Sequence, residues 1–150
     1  MNFIQNAWYV GALAQDVTTT PIQQMVLGEP IALYRTESGR AVALGDRCPH
    51  RFAPLHKGKV KGDCLECPYH GLNFNPTGAC SFNPHGDGKI PQAAKVKCYP
   101  LVERDGIVWI WPGDPQQSDE SKVLDLSDFF GNGKQPMISG SYKLNAHIEI

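Results

Sequence analysis

The 150 residues (16.5 kDa) suffice for one compact domain, and a formal net charge of −1 excludes the electrostatic footprint of a nucleic-acid or anionic-membrane binder. No apolar run approaches a membrane span and residues 1–6 lack the basic start and apolar core of a leader, so a cytoplasmic location is expected. Five cysteines, an odd number, argue for metal ligation and burial over a disulfide framework, and 15 glycines with 12 prolines point to short strands joined by turns.

Taken in chain order, residues 7–10 open the β-prone sequence and residues 22–27 follow Pro21. Residues 30–35 follow a turn at Gly28-Glu29 and are separated from residues 40–44 by Glu37-Ser38-Gly39, which predicts a hairpin. Residues 46–91 change character: Gly, Pro, Cys, His and Asn dominate, and long apolar alternation is missing. This segment reads as an insert of small hairpins held in shape by a cofactor rather than by its own core. Residues 99–104 and 107–111 flank Asp105-Gly106, a strong hairpin signal, and Trp109 and Trp111 fall on one face. No 3.6-residue apolar period is sustained before residue 112, so the fold class is all-β. Residues 112–122 form a polar linker, and residues 125–130 suit a short helical turn. Tyr142, Leu144, Ala146, Ile148 and Ile150 then alternate with polar residues as a half-buried strand, at which the chain stops. The chain is expected to be a piece of a longer protein; the alternative is that this strand pairs with the main sheet.

Two motifs carry the chemistry. Cys48-Pro49-His50 and Cys67-Pro68-Tyr69-His70-Gly71 each join one soft thiolate to one imidazole, with sixteen residues between them. Two cysteines and two histidines in this layout suit a 2Fe-2S cluster in which imidazoles replace two of the usual four thiolates. The expected pairing sets Cys48 and Cys67 on one iron, His50 and His70 on the other. Pro49 and Pro68 stiffen the loops, and Gly71 permits a turn that a Cβ would obstruct. The competing ligand set is tetrahedral zinc on Cys48, His50, Cys64 and Cys67, since Cys64-Leu65-Glu66-Cys67 is itself C-x-x-C. It leaves His70-Gly71 unexplained, and residues three apart on an extended run face opposite ways.

The paired motifs resemble the signature of Rieske iron–sulfur domains. Asn6-Ala7-Trp8-Tyr9-Val10, Cys48-Pro49-His50-Arg51-Phe52-Ala53-Pro54-Leu55 and Trp109-Ile110-Trp111-Pro112-Gly113-Asp114 are similar to the vanillate and dicamba demethylase branch of Rieske non-haem iron oxygenases. The resemblance implies the Rieske fold, an antiparallel β-sandwich base with a small cluster-binding subdomain. It implies a Rieske domain over residues 1–112, with the cluster-binding insert at about 46–91. Residues 113–150 are then a linker and the first strand of a truncated catalytic domain. In such oxygenases a reductase, often with a ferredoxin, passes electrons from NAD(P)H to the cluster. They cross a subunit boundary in a trimer to a mononuclear Fe(II), bound by two histidines and a carboxylate, beside the aromatic substrate. This chain stops before that iron site, so by itself it is expected to be redox-active only. The alternative is a free-standing Rieske ferredoxin. Respiratory Rieske proteins carry an extra cysteine in each loop and a serine after the glycine; here Ala53, Tyr69 and Leu72 stand in those places, which implies a potential toward the low end.

The remaining readings are plainer. Lys57, Lys59 and Lys61 suit either an acidic-partner surface or solvated lysines of a hairpin. Arg51 suits a carboxylate pair or an ordinary surface position. Residues 82–88, with His85, read as a loop shielding the cluster or meeting a neighbouring subunit; His85 is not needed as a ligand. Cys80 and Cys98 read as core or turn cysteines.

Overall fold

The computed structural model describes residues 3–127. The expected helical turn at residues 125–130 falls partly outside them, and the expected terminal strand lies wholly outside. The described chain contains eleven strands in three antiparallel sheets. The first sheet has the order β1 (Tyr9–Leu13), β11 (Ile107–Ile110), β10 (Leu101–Arg104). The second runs β2 (Ile22–Val26), β3 (Glu29–Arg35), β4 (Ala41–Gly45), β9 (Cys98–Tyr99). The third, formed by the insert, is β5 (Lys59–Lys61), β6 (Cys64–Glu66), β7 (Asn73–Phe74), β8 (Cys80–Phe82).

The hairpins follow from local chemistry. β3 and β4 pair from Ile31↔Gly45 to Arg35↔Ala41, as the turn signal between them predicts. Asp105 (φ 53°) and Gly106 (φ 73°) are both left-handed, the turn that matches the twist of β10 and β11. The run predicted as continuous over 99–104 is instead divided at Pro100. Proline has no N–H to give to a ladder, so β9 pairs with β4 while β10 leaves for β11.

β3 and β4 are buried on both faces, which explains their unbroken apolar runs Ile31-Ala32-Leu33-Tyr34 and Ala41-Val42-Ala43-Leu44. One face, with Ile31, Leu33 and Ala43, packs on Val108 and Ile110 of the first sheet and makes the sandwich core. The opposite face, with Ala32, Tyr34, Val42 and Leu44, packs on Leu55, Leu65, Leu72 and Phe74 of the insert. The insert therefore has apolar packing of its own, contrary to the reading that only a cofactor would hold it. Each short strand of the insert supplies at most one buried residue, too few to show alternation.

Beyond Trp111 the chain does not leave the base. Asp114 and Asp119 cap the short 3-10 turns Pro115–Gln117 and Glu120–Lys122. Trp8 donates its indole N–H to the Asp119 carbonyl at 2.8 Å, and Val123 is buried against Ile107 and Trp109. Trp109 packs in that outer cluster, while the Trp111 ring meets Trp8 edge-on with centroids 5.4 Å apart.

Candidate metal centre

The two motifs form loops with one backbone pattern. In the first, Cys48 N–H donates to the Ala53 carbonyl (2.9 Å) and Phe52 N–H to the Cys48 carbonyl (2.8 Å). In the second, Cys67 N–H donates to the Leu72 carbonyl (2.8 Å) and Gly71 N–H to the Cys67 carbonyl (3.1 Å). The fifth residue of each loop is left-handed: Phe52 at φ 55° and Gly71 at φ 70°. The imidazoles, however, are offset. His50 is the third residue of its loop and His70 the fourth of its own, so Tyr69 occupies the place matching His50 and Arg51 the place matching His70.

The loops bring Cys48, His50, Cys67 and His70 to one end of the insert. The His50 and His70 rings lie 4.6 Å apart between centroids, and both thiols are buried. Burial pushes the Cys48 thiol up to about 11; backbone N–H groups of His50 and Arg51 aimed at the sulfur oppose that rise, and the neighbouring Cys67 thiol adds to it. Desolvation, then His50, His85 and Arg51, hold His70 below the usual histidine range, which favours the neutral imidazole that ligates metals. The His70 Nδ1 atom is buried with no hydrogen-bond partner. A buried ring nitrogen without a partner is costly unless something else binds it. Pro49, His50, His70 and Leu72 border a cavity of about 420 Å³ beside these rings. Buried sulfurs, aimed amide N–H groups and an unpartnered imidazole nitrogen are the donor set an iron–sulfur cluster requires, so the residues fit that group.

Zinc fares worse. Among the described residues no three His, Cys, Asp or Glu side chains converge as a single ion needs. Cys64 lies on β6 with its sulfur 3.4 Å from Ser81 Oγ, and Cys80 and Cys98 face the Phe82 and Pro76 carbonyls.

Three features around the loops escape sequence reasoning. Asp46, buried at the entry to the first loop, accepts from His56 N–H (2.7 Å) and Gln23 Nε2 (2.6 Å), and lies 2.6 Å from His56 Nδ1. His85 reaches the His70 carbonyl. Tyr69 lays its ring on His70, centroids 3.9 Å apart, while 64% exposed. Of the lysines, Lys61 pairs with Glu66 and Lys57 and Lys59 are exposed; among the described residues Arg51 makes no ion pair.

An all-β base carrying two Cys/His loops at the end of a small third sheet defines the Rieske class of iron–sulfur domain. Residues 7–100 match the family model of the Rieske [2Fe-2S] domain, and the chain belongs to that family. It is 48% identical over 126 residues to the oxygenase component of dicamba O-demethylase from Stenotrophomonas maltophilia, an alignment covering 84% of this chain and 37% of that protein. Identity to the vanillate O-demethylase oxygenase subunit of Pseudomonas sp. (strain HR199 / DSM 7063) is 36% over 124 residues, covering 83% and 34%. The crystal structure of apo dicamba monooxygenase matches with a TM-score of 0.81 at 47% identity, covering 83% of this chain and 39% of that one. The chain thus spans about a third of the length of these relatives, and the demethylase branch read from its motifs is the branch its relatives occupy. Among the described residues no helix is long and apolar enough to cross a membrane.

Proposed function

We propose that Cys48 and Cys67 hold one iron and His50 and His70 the other iron of the Rieske cluster, and that this domain delivers electrons within an aromatic-compound oxygenase. The observation that supports the assignment is the pairing of the His50 and His70 rings and of the Cys48 and Cys67 thiols, with His70 Nδ1 buried and unpartnered. The cluster supplies one-electron storage. The chain's residues exclude water from the sulfurs, aim the His50 and Arg51 amides at Cys48, and bias His70 toward its neutral form. With Leu72 buried and apolar where a serine hydroxyl would donate, the potential belongs toward the low end of the Rieske range.

The division into a Rieske domain over residues 1–112, its cluster-binding insert at about 46–91, and a following segment 113–150 leading into a catalytic domain belongs to the same reading. Relatives named as oxygenase components, each about three times as long as the matched part, support it. The full protein is then a ring-hydroxylating or O-demethylating mono- or dioxygenase whose mononuclear Fe(II) lies outside this chain. Its partners are a reductase or ferredoxin donor and neighbouring oxygenase subunits, in a trimer. Five free cysteines support a reducing, cytoplasmic setting.

Reduced-state EPR of the cluster-loaded protein tests the ligand set. A rhombic Rieske signal is expected, displaced toward the all-cysteine type in His70→Cys. A spectrum untouched by that substitution removes His70 from the ligands. For the oxygenase reading, the reading frame after Ile150 is expected to encode a two-histidine, one-carboxylate set; a stop codon there in the native gene favours the free-standing carrier.

A further inference from the structure

The loop at residues 83–88 is built more firmly than its exposure suggests. Asn83 accepts from His85 N–H at 3.1 Å and donates from its side-chain amide to the Lys89 carbonyl at 2.8 Å. Gly88 N–H closes on the His85 carbonyl at 3.0 Å. Asp87 accepts from Lys89 N–H at 3.1 Å and pairs with its ammonium at 2.6 Å. These bonds present two side chains to the second ligand loop. His85 Nε2 lies 2.7 Å from the His70 carbonyl, and because a carbonyl only accepts, that nitrogen carries the proton. The Pro84 ring fills the space beside Gly71, its Cγ 3.2 Å from where a Cβ would stand.

Both contacts fall on one peptide unit, the His70–Gly71 link. The torsions of that unit fix where the His70 imidazole points. Sheet pairing does not reach it: the register ends at Glu66↔Asn73, and within the loop Gly71 N–H holds one side of that peptide on the Cys67 carbonyl at 3.1 Å, leaving the His70 carbonyl to His85. We propose that His85 and Pro84 form a clamp on the His70–Gly71 peptide, with His85 a positioning residue that orients His70 toward the cluster and slows cluster loss. The role rests on the ligand assignment above and needs no titration of His85. It needs only a neutral N–H donor at that reach.

Two substitutions separate donation from bulk. Gln offers an N–H at the same reach as His Nε2; Leu fills similar space without a donor. In the cluster-loaded protein, His85→Leu is expected to release iron to a ferrous chelator about fivefold faster, the worth of one net hydrogen bond. Its reduced-state EPR signal is expected to broaden as His70 gains freedom. His85→Gln is expected to match the parent in both. Parent-like release and EPR in His85→Leu would overturn the clamp, as would release by His85→Gln as fast as by His85→Leu. A parent protein without a rhombic reduced signal would instead sink the cluster reading, so the two failures are distinct.

Discussion

The two ligand loops share a backbone and differ in what supports it. The second closes a hairpin: β6 enters, β7 leaves, and Glu66 pairs with Asn73 directly beneath the loop. The first has no such ladder. It enters from β4 and leaves into the 3-10 turn Leu55–Lys57, so two strands never face each other at its base. Main-chain bonds still cross its mouth, from Cys48 N–H to the Ala53 carbonyl (2.9 Å) and from Leu55 N–H to the Asp46 carbonyl (3.4 Å), and the Asp46 carboxylate reinforces them by binding His56 N–H and Gln23 on β2. One loop is thus closed by main-chain bonds and clamped at its tip. The other is closed by fewer main-chain bonds together with a buried carboxylate, and has an open tip. Equal backbone shape can be reached by strand pairing or by a few main-chain bonds reinforced by one carboxylate, and the second route leans more on a single residue.

The sharpest way to break the contrast is at Asp46. Asp46→Ala leaves the half-buried His56 N–H without its acceptor, at a cost of about 1–3 kcal/mol, while the exposed Gln23 amide can turn to water. Destabilisation of about 2–3 kcal/mol is expected, with most of the cluster lost on purification. Denaturant unfolding and iron content measure both. His56→Ala removes only the imidazole and leaves the backbone N–H in place, so roughly a third of that loss is expected. Equal losses from the two would show that the imidazole, not the loop closure, is what Asp46 serves.

At the second loop the residue to test is Gly71, at the clamped tip. Gly71→Ala meets two obstacles: a left-handed φ of 70°, costing about 1–2 kcal/mol for a residue with a Cβ, and the Pro84 ring. A loss of about 2 kcal/mol with faster iron release is expected, smaller than at Asp46 because the hairpin beneath persists. An alanine variant as stable as the parent would show that the Pro84 contact is loose.

The parts legible in the sequence are those whose signals are local. Asp105-Gly106 announces its own turn, and the runs of β3 and β4 announce burial on both faces. The ligands stand out because thiolates and imidazoles at two- and three-residue spacing have few other uses. What stayed hidden acts across distance. Asp46 and His56 are ten residues apart and His85 and His70 fifteen, and each is an ordinary residue until the fold joins it to its partner. The insert reads as small hairpins in the sequence, but its strands and their joining into one sheet do not, for a different reason. Strands as short as Asn73–Phe74 hold one buried residue each, and no period can be read from one. The offset of the imidazoles is plain as two- against three-residue spacing, but the common backbone of the two loops is not, because the main-chain hydrogen bonds that align them leave no mark on residue type.

Phe52 gives the smallest effect and the most informative sign. It stands where the second loop has Gly71, at φ 55°, with its ring 73% exposed. A bulky side chain there carries a left-handed penalty of about 1–2 kcal/mol, and so exposed a ring recovers little of it by packing. Phe52→Gly relieves that strain but adds freedom to the unfolded chain worth about 0.5–1 kcal/mol. The balance is a stabilisation of up to about 1 kcal/mol with the cluster retained, read as a rise in the denaturant midpoint at constant slope. A loss of stability would mean that the ring holds the first loop closed together with Asp46, and the loops would then differ by two supports rather than one. A gain means that the first loop keeps a strained aromatic residue at its open tip for a reason outside its own folding. Strain of that kind gathers where a surface meets something else.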